Sequence, residues 1–310
     1  MKHFLTLLAA ALIAATSLQG ARAAASDPAS VSRESREYQL RDFEGLDIGW
    51  TYKVELNRSN RYAVRVEAPD FILPYLNVEV RSGVLTLGVR ELPKDIRKKI
   101  EALSRAGEIR ATVSMPEFTS LQMSGAAQLN CNDEFLHRND RFKLRLSGAV
   151  NARGISVKAV ESDIDCSGAA KFELKGDFDR VDLRLSGAVT GKIDASPKVA
   201  LLELSGGAKL VWNGNLGRTD ISASGAASVE IEGAAAELTA EGSGAAKINT
   251  AKAPSRTADI KMSGAARCEI DVRESLEVTL SGASSCRYHA SDRLRVSTRS
   301  ISRGSSLTRF

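Results

Sequence analysis

One feature constrains this chain more than any other: an internal repeat. The tripeptide Ser-Gly-Ala, or a near copy, begins at Ser124, Ser147, Ser167, Ser186, Ser205, Ser224, Ser243, Ser263 and Ser281. Successive copies lie 23, 20, 19, 19, 19, 19, 20 and 18 residues apart, an evenness that marks one structural unit used repeatedly. Apolar residues flank each copy at period two. Three and one residues before the Ser stand Leu144 and Leu146, Ile164 and Cys166, Leu183 and Leu185, Leu202 and Leu204. Five and seven residues after it stand Leu129 and Cys131, Phe172 and Leu174, Leu210 and Trp212, Val229 and Ile231. Alternation on both sides of a Gly-containing corner reads as strand, turn, strand.

A unit of about 19 residues with two short strands cannot bury its apolar side alone, whereas stacked copies can. At about 4.8 Å per turn, nine copies make a rod on the order of 43 Å long. An antiparallel barrel or sandwich of short hairpins would also alternate, but it gives no reason for identical corners at constant spacing. The repeat therefore predicts an all-β chain whose main part is a parallel β-solenoid, a β-helix-like stack of about nine turns. Equivalent residues then lie above one another, and their charges can be read as columns. Two residues before each Ser the column runs Arg145, Asp165, Arg184, Glu203, Ser222, Glu241, Lys261. Six residues after, it runs Arg153, Glu173, Lys192, Val211, Glu230, Asn249, Glu269, Arg287. Neighbours alternate in sign or avoid like charge, as a solvated, self-neutralising sheet face requires.

The remaining segments divide the chain. Residues 1–23 read as a secretory signal peptide, with Lys2, an apolar stretch from Phe4 to Ala15, and Ala21-Arg22-Ala23 as a cleavage site. The apolar stretch is too short to span a bilayer at about 20 residues. Residues 24–37 read as a flexible lead-in. Residues 38–120 read as a separate β-rich cap, interrupted at 93–106 by a basic stretch in which Ile96, Ile100 and Leu103 recur at helical spacing. Residues 121–310 form the solenoid, with Ser300 to Phe310 as a degenerate last turn.

Composition removes several function classes. Of a formal charge of +5, Lys2 and Arg22 belong to the leader, so the remaining +3 is too weak a balance to argue for nucleic acid. Aromatics are only 5%, which suits a core of small and β-branched residues. No second apolar stretch is long enough for a transmembrane span. The four Cys (Cys131, Cys166, Cys268, Cys286) form no CxxC pair, and beyond the leader only His137 and His289 could join them, so no metal site or cofactor is expected.

The serial SGAA and SGAV corners follow a segment reading FEGLDIGWTYKVELNRSNRYAVRVEAPDFI and then VEVRSGVLTLGV. In that combination, over residues 38–300, the chain resembles the GIN-domain family, named for an auto-transporter adhesin head. The resemblance implies an exported bacterial β-solenoid-like domain and carries over no catalytic residues. The strands after residue 120 are too short for an autotransporter barrel.

Candidate sites follow from the columns. The Ser residues form a corner ladder whose hydroxyls are expected to hydrogen-bond the corner backbone, or else to order sugars or water along a flat row. Cys268 and Cys286 both lie five residues after their Ser, which makes them inward-facing vertical neighbours and a possible disulfide. Trp50 and Tyr52 could form an exposed aromatic patch, and Asp163 with Asp165 a ligand-binding acidic pair. Asp177, Asp179 and Asp182 form a second acidic cluster, expected to serve turns and charge pairing, and His289 has no visible partner. The reading is an exported, non-enzymatic protein, in the periplasm or at the cell surface, that contacts a glycan, an envelope polymer or a protein. The alternatives are a polysaccharide-modifying enzyme on the same fold and a periplasmic scaffold or signalling module.

Overall fold

In the computed structural model, residues 31–103, 108–291 and 293–310 are described. The leader expected at 1–23 lies outside them. From Ser120 onward the chain winds as a parallel β-solenoid, which makes about ten turns in all. Each turn is two strand arms joined at a Ser-Gly-Ala corner. Their side chains alternate inward and outward, so the core is a narrow slab of stacked apolar columns such as Leu183, Leu202, Ile221, Ala240 and Ile260, all buried.

The corners are held by backbone. At the turn that begins with Ser205, the amides of Ser205, Gly207 and Lys209 donate to the carbonyls of Leu185, Gly187 and Val189 at 2.9, 2.9 and 2.8 Å. Equivalent bonds recur up the stack. The middle residue needs glycine twice over: Gly206 has φ +70, and a Cβ there would stand 3.1 Å from both the N and the O of Gly187. The opposite corner is irregular, with register shifts between Ala152 and Ile155, between Glu230 and Glu232, and between Thr250 and Ser255.

The N-terminal part comprises β1 (Arg33–Tyr38), β2 (Gly45–Ile48), β3 (Tyr52–Arg58), β4 (Ala63–Pro69), β5 (Leu76–Arg81), β6 (Val84–Val89), helix α1 (Lys94–Leu103) and β7 (Ile109–Met115), followed by the first repeat strands β8 (Ser120–Met123) and β9 (Gln128–Cys131). Pairing crosses the boundary the sequence places at residue 120. β2 and β3 form a full turn of the stack, parallel to β8 and β9 above and to β6 and β7 below. The cap proper is antiparallel: β4 pairs with β7, β1 with β4, and β5 with β6. The expected lead-in at 24–37 therefore ends inside strand β1. The physical reason is that β7 and β6 would otherwise present open edges, and antiparallel strands cover them. The basic segment contains α1, Lys94–Leu103, which follows β6 and precedes β7 in the chain where the later turns have a Ser-Gly-Ala corner.

The last strands, Arg295–Ile301 and Ser306–Arg309, pair in parallel with the turn beneath and complete a final turn around Gly304.

Candidate functional site

A long concavity lies beside the serine corners. It is a groove enclosing about 660 Å³ that runs across seven turns, or about 29 Å. One rim is the serine column, Ser186, Ser205, Ser224, Ser243, Ser263 and Ser281. The other is the charged column Asp165, Arg184, Glu203, Ser222, Glu241 and Lys261, with Leu204, Ala223, Gly242 and Met262 as the floor.

The serine hydroxyls do little of the structural work expected of them. Ser147 Oγ donates to Met123 O at 3.3 Å and Ser263 Oγ to Gly242 O at 3.5 Å, whereas those of Ser124, Ser167, Ser186, Ser205, Ser224, Ser243 and Ser281 have no partner among the described residues. The ladder is closed by main-chain amides, which leaves these hydroxyls on exposed or half-exposed corners. On the facing rim the charges pair along the stack: Arg184 meets Glu203 at 3.3 Å and Lys261 meets Glu241 at 2.8 Å. Asp165 is exposed and stands in register between Arg145 and Arg184. The groove is thus repetitive and nearly neutral, with polar rims over an apolar floor.

The other candidates fall elsewhere. Tyr52 is not part of a surface patch. It belongs to the inward set with Val54 and Leu56, is fully buried, and donates its hydroxyl to Gly88 O at 3.2 Å. Burial pushes its phenol pKa well above the ordinary value. Trp50 is half-buried at the corner of the β2–β3 turn with φ +60. Asp163 faces outward two residues from Asp165, and Arg141 approaches it at 3.4 Å, so the two aspartates share a face but not a site. Asp177 and Asp179 are bridged by Arg138 at 3.2 and 2.8 Å, and Asp182 pairs with Arg180 at 3.0 Å. His289 does have a partner, with Nδ1 3.5 Å from Asp271 Oδ1.

All four cysteines are buried free thiols. Cys268 and Cys286 are direct register partners on adjacent turns. A hydrogen bond to Cys286, with burial, holds the Cys268 thiol well above its usual pKa. Burial likewise pushes Cys131 up to about 11.

The groove itself escaped the sequence reading, although a signal for its floor was present. The residue before each Ser is large in most turns (Leu146, Leu185, Leu204, Met262) but shrinks to Ala223 and Gly242 in two consecutive ones. Among the described residues, no helix is long and apolar enough to cross a membrane.

Comparison with known proteins gives this geometry a family. The chain matches the family described as "Putative auto-transporter adhesin, head GIN domain" over residues 42–200 and 196–291. No curated protein matches it. Among solved structures, a "putative adhesin" from Parabacteroides distasonis ATCC 8503 is 14% identical, with a TM-score of 0.50, covering 90% of this chain and 97% of that one. A "putative adhesin" from Parabacteroides merdae ATCC 43184 is also 14% identical, with a TM-score of 0.49, covering 90% of this chain and 96% of that one. At 14% identity the likeness to the first of these is one of fold. The first match begins at residue 42, just before β2, in keeping with β2 and β3 together forming a turn of the same stack, and the two matches together span most of the chain: this protein belongs to the GIN-domain family.

Proposed function

We propose that this protein is an exported, non-enzymatic adhesion module that holds an extended polar polymer, best a glycan chain, in the groove along its serine corners. The observation that carries this reading is the row of rim serines, one per turn and all but Ser263 with a hydroxyl that has no protein partner, facing a column of paired charges. Hydroxyls repeated about every 4.8 Å can each meet successive polar units of an extended chain, and the rigid backbone ladder spares the cost of ordering them on binding. The family to which the chain belongs, described as an adhesin head, points the same way. Residues 1–23 would direct export and be removed.

A non-enzymatic role is supported by the outward carboxylates. Those of Glu161, Asp163, Asp179, Glu203 and Glu241 are each engaged by Arg or Lys, the arrangement of a neutralised surface rather than of an acid poised for proton transfer.

The test is binding of envelope and host polysaccharides to the full chain and to Ser224→Arg with Ser243→Arg, which fill the groove from its rim. Binding that the double variant lowers at least tenfold supports the groove. A polysaccharide bound equally by both, or none bound by either, overturns it. External protease on intact producing cells then separates surface from periplasm: cleavage marks exposure, and protection until the outer membrane is opened places the module in the periplasm.

A further inference from the structure

The two ends of the stack are finished differently. At the N-terminal end, β4 and β1 cover β7, and β5 covers β6. At the other end, Arg295–Ile301 pairs only with Arg267–Leu280, and Ser306–Arg309 only with Ser285–Ala290, among the described residues. All seven residues of Arg295–Ile301 are exposed. Val296 and Ile301 lie in register over the fully buried Leu276 and Leu280 yet are 41% and 42% exposed themselves. They occupy core columns, and one more strand laid on this edge would bury them.

The chemistry of that strand is legible in the charges. Residues 293–310 contain Arg293, Arg295, Arg299, Arg303 and Arg309 and neither Asp nor Glu, and of these Arg299 is already held by Glu277 of the turn beneath. A second copy meeting this edge with its own would set arginine against arginine. The opposite end offers no acidic surplus either, since α1 carries Lys94, Arg97, Lys98 and Lys99 against Asp95 and Glu101, and the edge strand β1 balances Glu34 and Glu37 with Arg33 and Arg36. Backbone groups are available on the open side. The amides of Ser306 and Phe310 donate down to Ser284 O and Tyr288 O, so that of Leu307, one residue on from Ser306, points away from the stack.

We propose that this edge accepts an extended acidic peptide from another protein, in which apolar residues alternate with Asp or Glu. Its main chain would continue the parallel ladder, its apolar side chains would cover Val296 and Ile301, and its carboxylates would meet Arg295 and Arg303. This is independent of the serine groove, which runs along the side of the stack.

The experiment measures fluorescence anisotropy of a labelled peptide alternating Val and Glu, its Val and Lys counterpart, and anionic phosphatidylserine vesicles, each with the full chain. Binding of the acidic peptide alone is expected, weakened at least tenfold in 0.5 M salt and abolished by Arg295→Glu with Arg303→Glu. Val296→Ser with Ile301→Ser, which removes the apolar seats and leaves the charges in place, is expected to weaken binding as well, with its fold checked by circular dichroism. Undiminished binding to the charge-reversed variant overturns the proposal. So does binding of vesicles without the peptide, which would assign the arginines to a lipid surface. Binding of neither probe also overturns it and leaves the arginines as a guard against edge pairing.

Discussion

Trp50 is the bottom step of the glycine ladder, directly beneath Gly125. The amide of Ala126 donates to Trp50 O at 2.7 Å, just as that of Ala149 donates to Gly125 O at 2.8 Å one turn higher. Trp50 also adopts the ladder's left-handed backbone, with φ +60 beside +74 at Gly125. The strands of the turn below Trp50, β6 and β7, are joined through α1 rather than through a Ser-Gly-Ala corner. Each step above, from Gly125 to Gly282, has a backbone carbonyl within 2.5–3.1 Å of where its Cβ would stand, that of Trp50 under Gly125 and that of a glycine under the others.

That crowding gives the first prediction. Gly206→Ala combines a positive φ with a Cβ pressed between the N and O of Gly187, and should cost about 1–3 kcal/mol. Gly83→Ala shares the positive φ (+75) but meets nothing within 4 Å, so it should cost less. Urea denaturation of both variants decides it; an equal or larger loss at Gly83 would show that stacking adds nothing.

Trp212 is fully buried, and its indole N–H donates to Ala195 O at 2.9 Å. Trp212→Phe keeps most of the volume but strands that carbonyl, for about 1–3 kcal/mol. Trp212→Ala adds a cavity and should cost about 3–5 kcal/mol. Chemical denaturation gives both numbers, and the reverse order would contradict the packing described.

The charged face should be nearly silent. Lys261 and Glu241 are 2.8 Å apart with side chains 44% and 52% exposed, a pair worth about 0–1 kcal/mol. Glu241→Gln should therefore move the unfolding midpoint little, and less still in high salt. A loss beyond about 2 kcal/mol in high salt would mean that the column does more than keep itself neutral.

Adjacent parallel strands place Cys268 and Cys286 within reach of one another. Protein recovered from an oxidising compartment is expected to be lighter by the two hydrogens lost as this pair closes, with Cys131 and Cys166 alone alkylated after unfolding. Four alkylated thiols in such a preparation would refute the bridge.

In the folded chain, iodoacetamide should leave Cys131 unmodified near pH 8, because burial raises its thiol from 9.0 to about 11. A folded pKa above the unfolded one favours folding below about pH 9. That contribution is lost as the pH climbs through about 11, so stability should fall across this window, and fall less in Cys131→Ala. Titrating the unfolding free energy from pH 8 to 11 checks the sign.

The sequence alone determined the solenoid, because a period of 19 residues with period-two alternation leaves stacking as the way to bury its apolar sides. It also determined which residues share a column, so Cys268 could be set over Cys286 and Arg184 beside Glu203 before any coordinates. The tertiary structure decided what period cannot carry. Tyr52 points inward because β2 and β3 are a turn of the stack, which rests on the non-local pairing of Val54 with Ala111 and Leu129. The serine hydroxyls are spare because main-chain amides already close each corner, a division of hydrogen bonds that depends on the height of one turn over the next. The groove is a product of stacking, since its rims and floor are drawn from seven successive turns, and the arginine edge is open because nothing among the described residues pairs beyond Arg295–Ile301. These are relations between distant parts of the chain, set by packing rather than by local pattern.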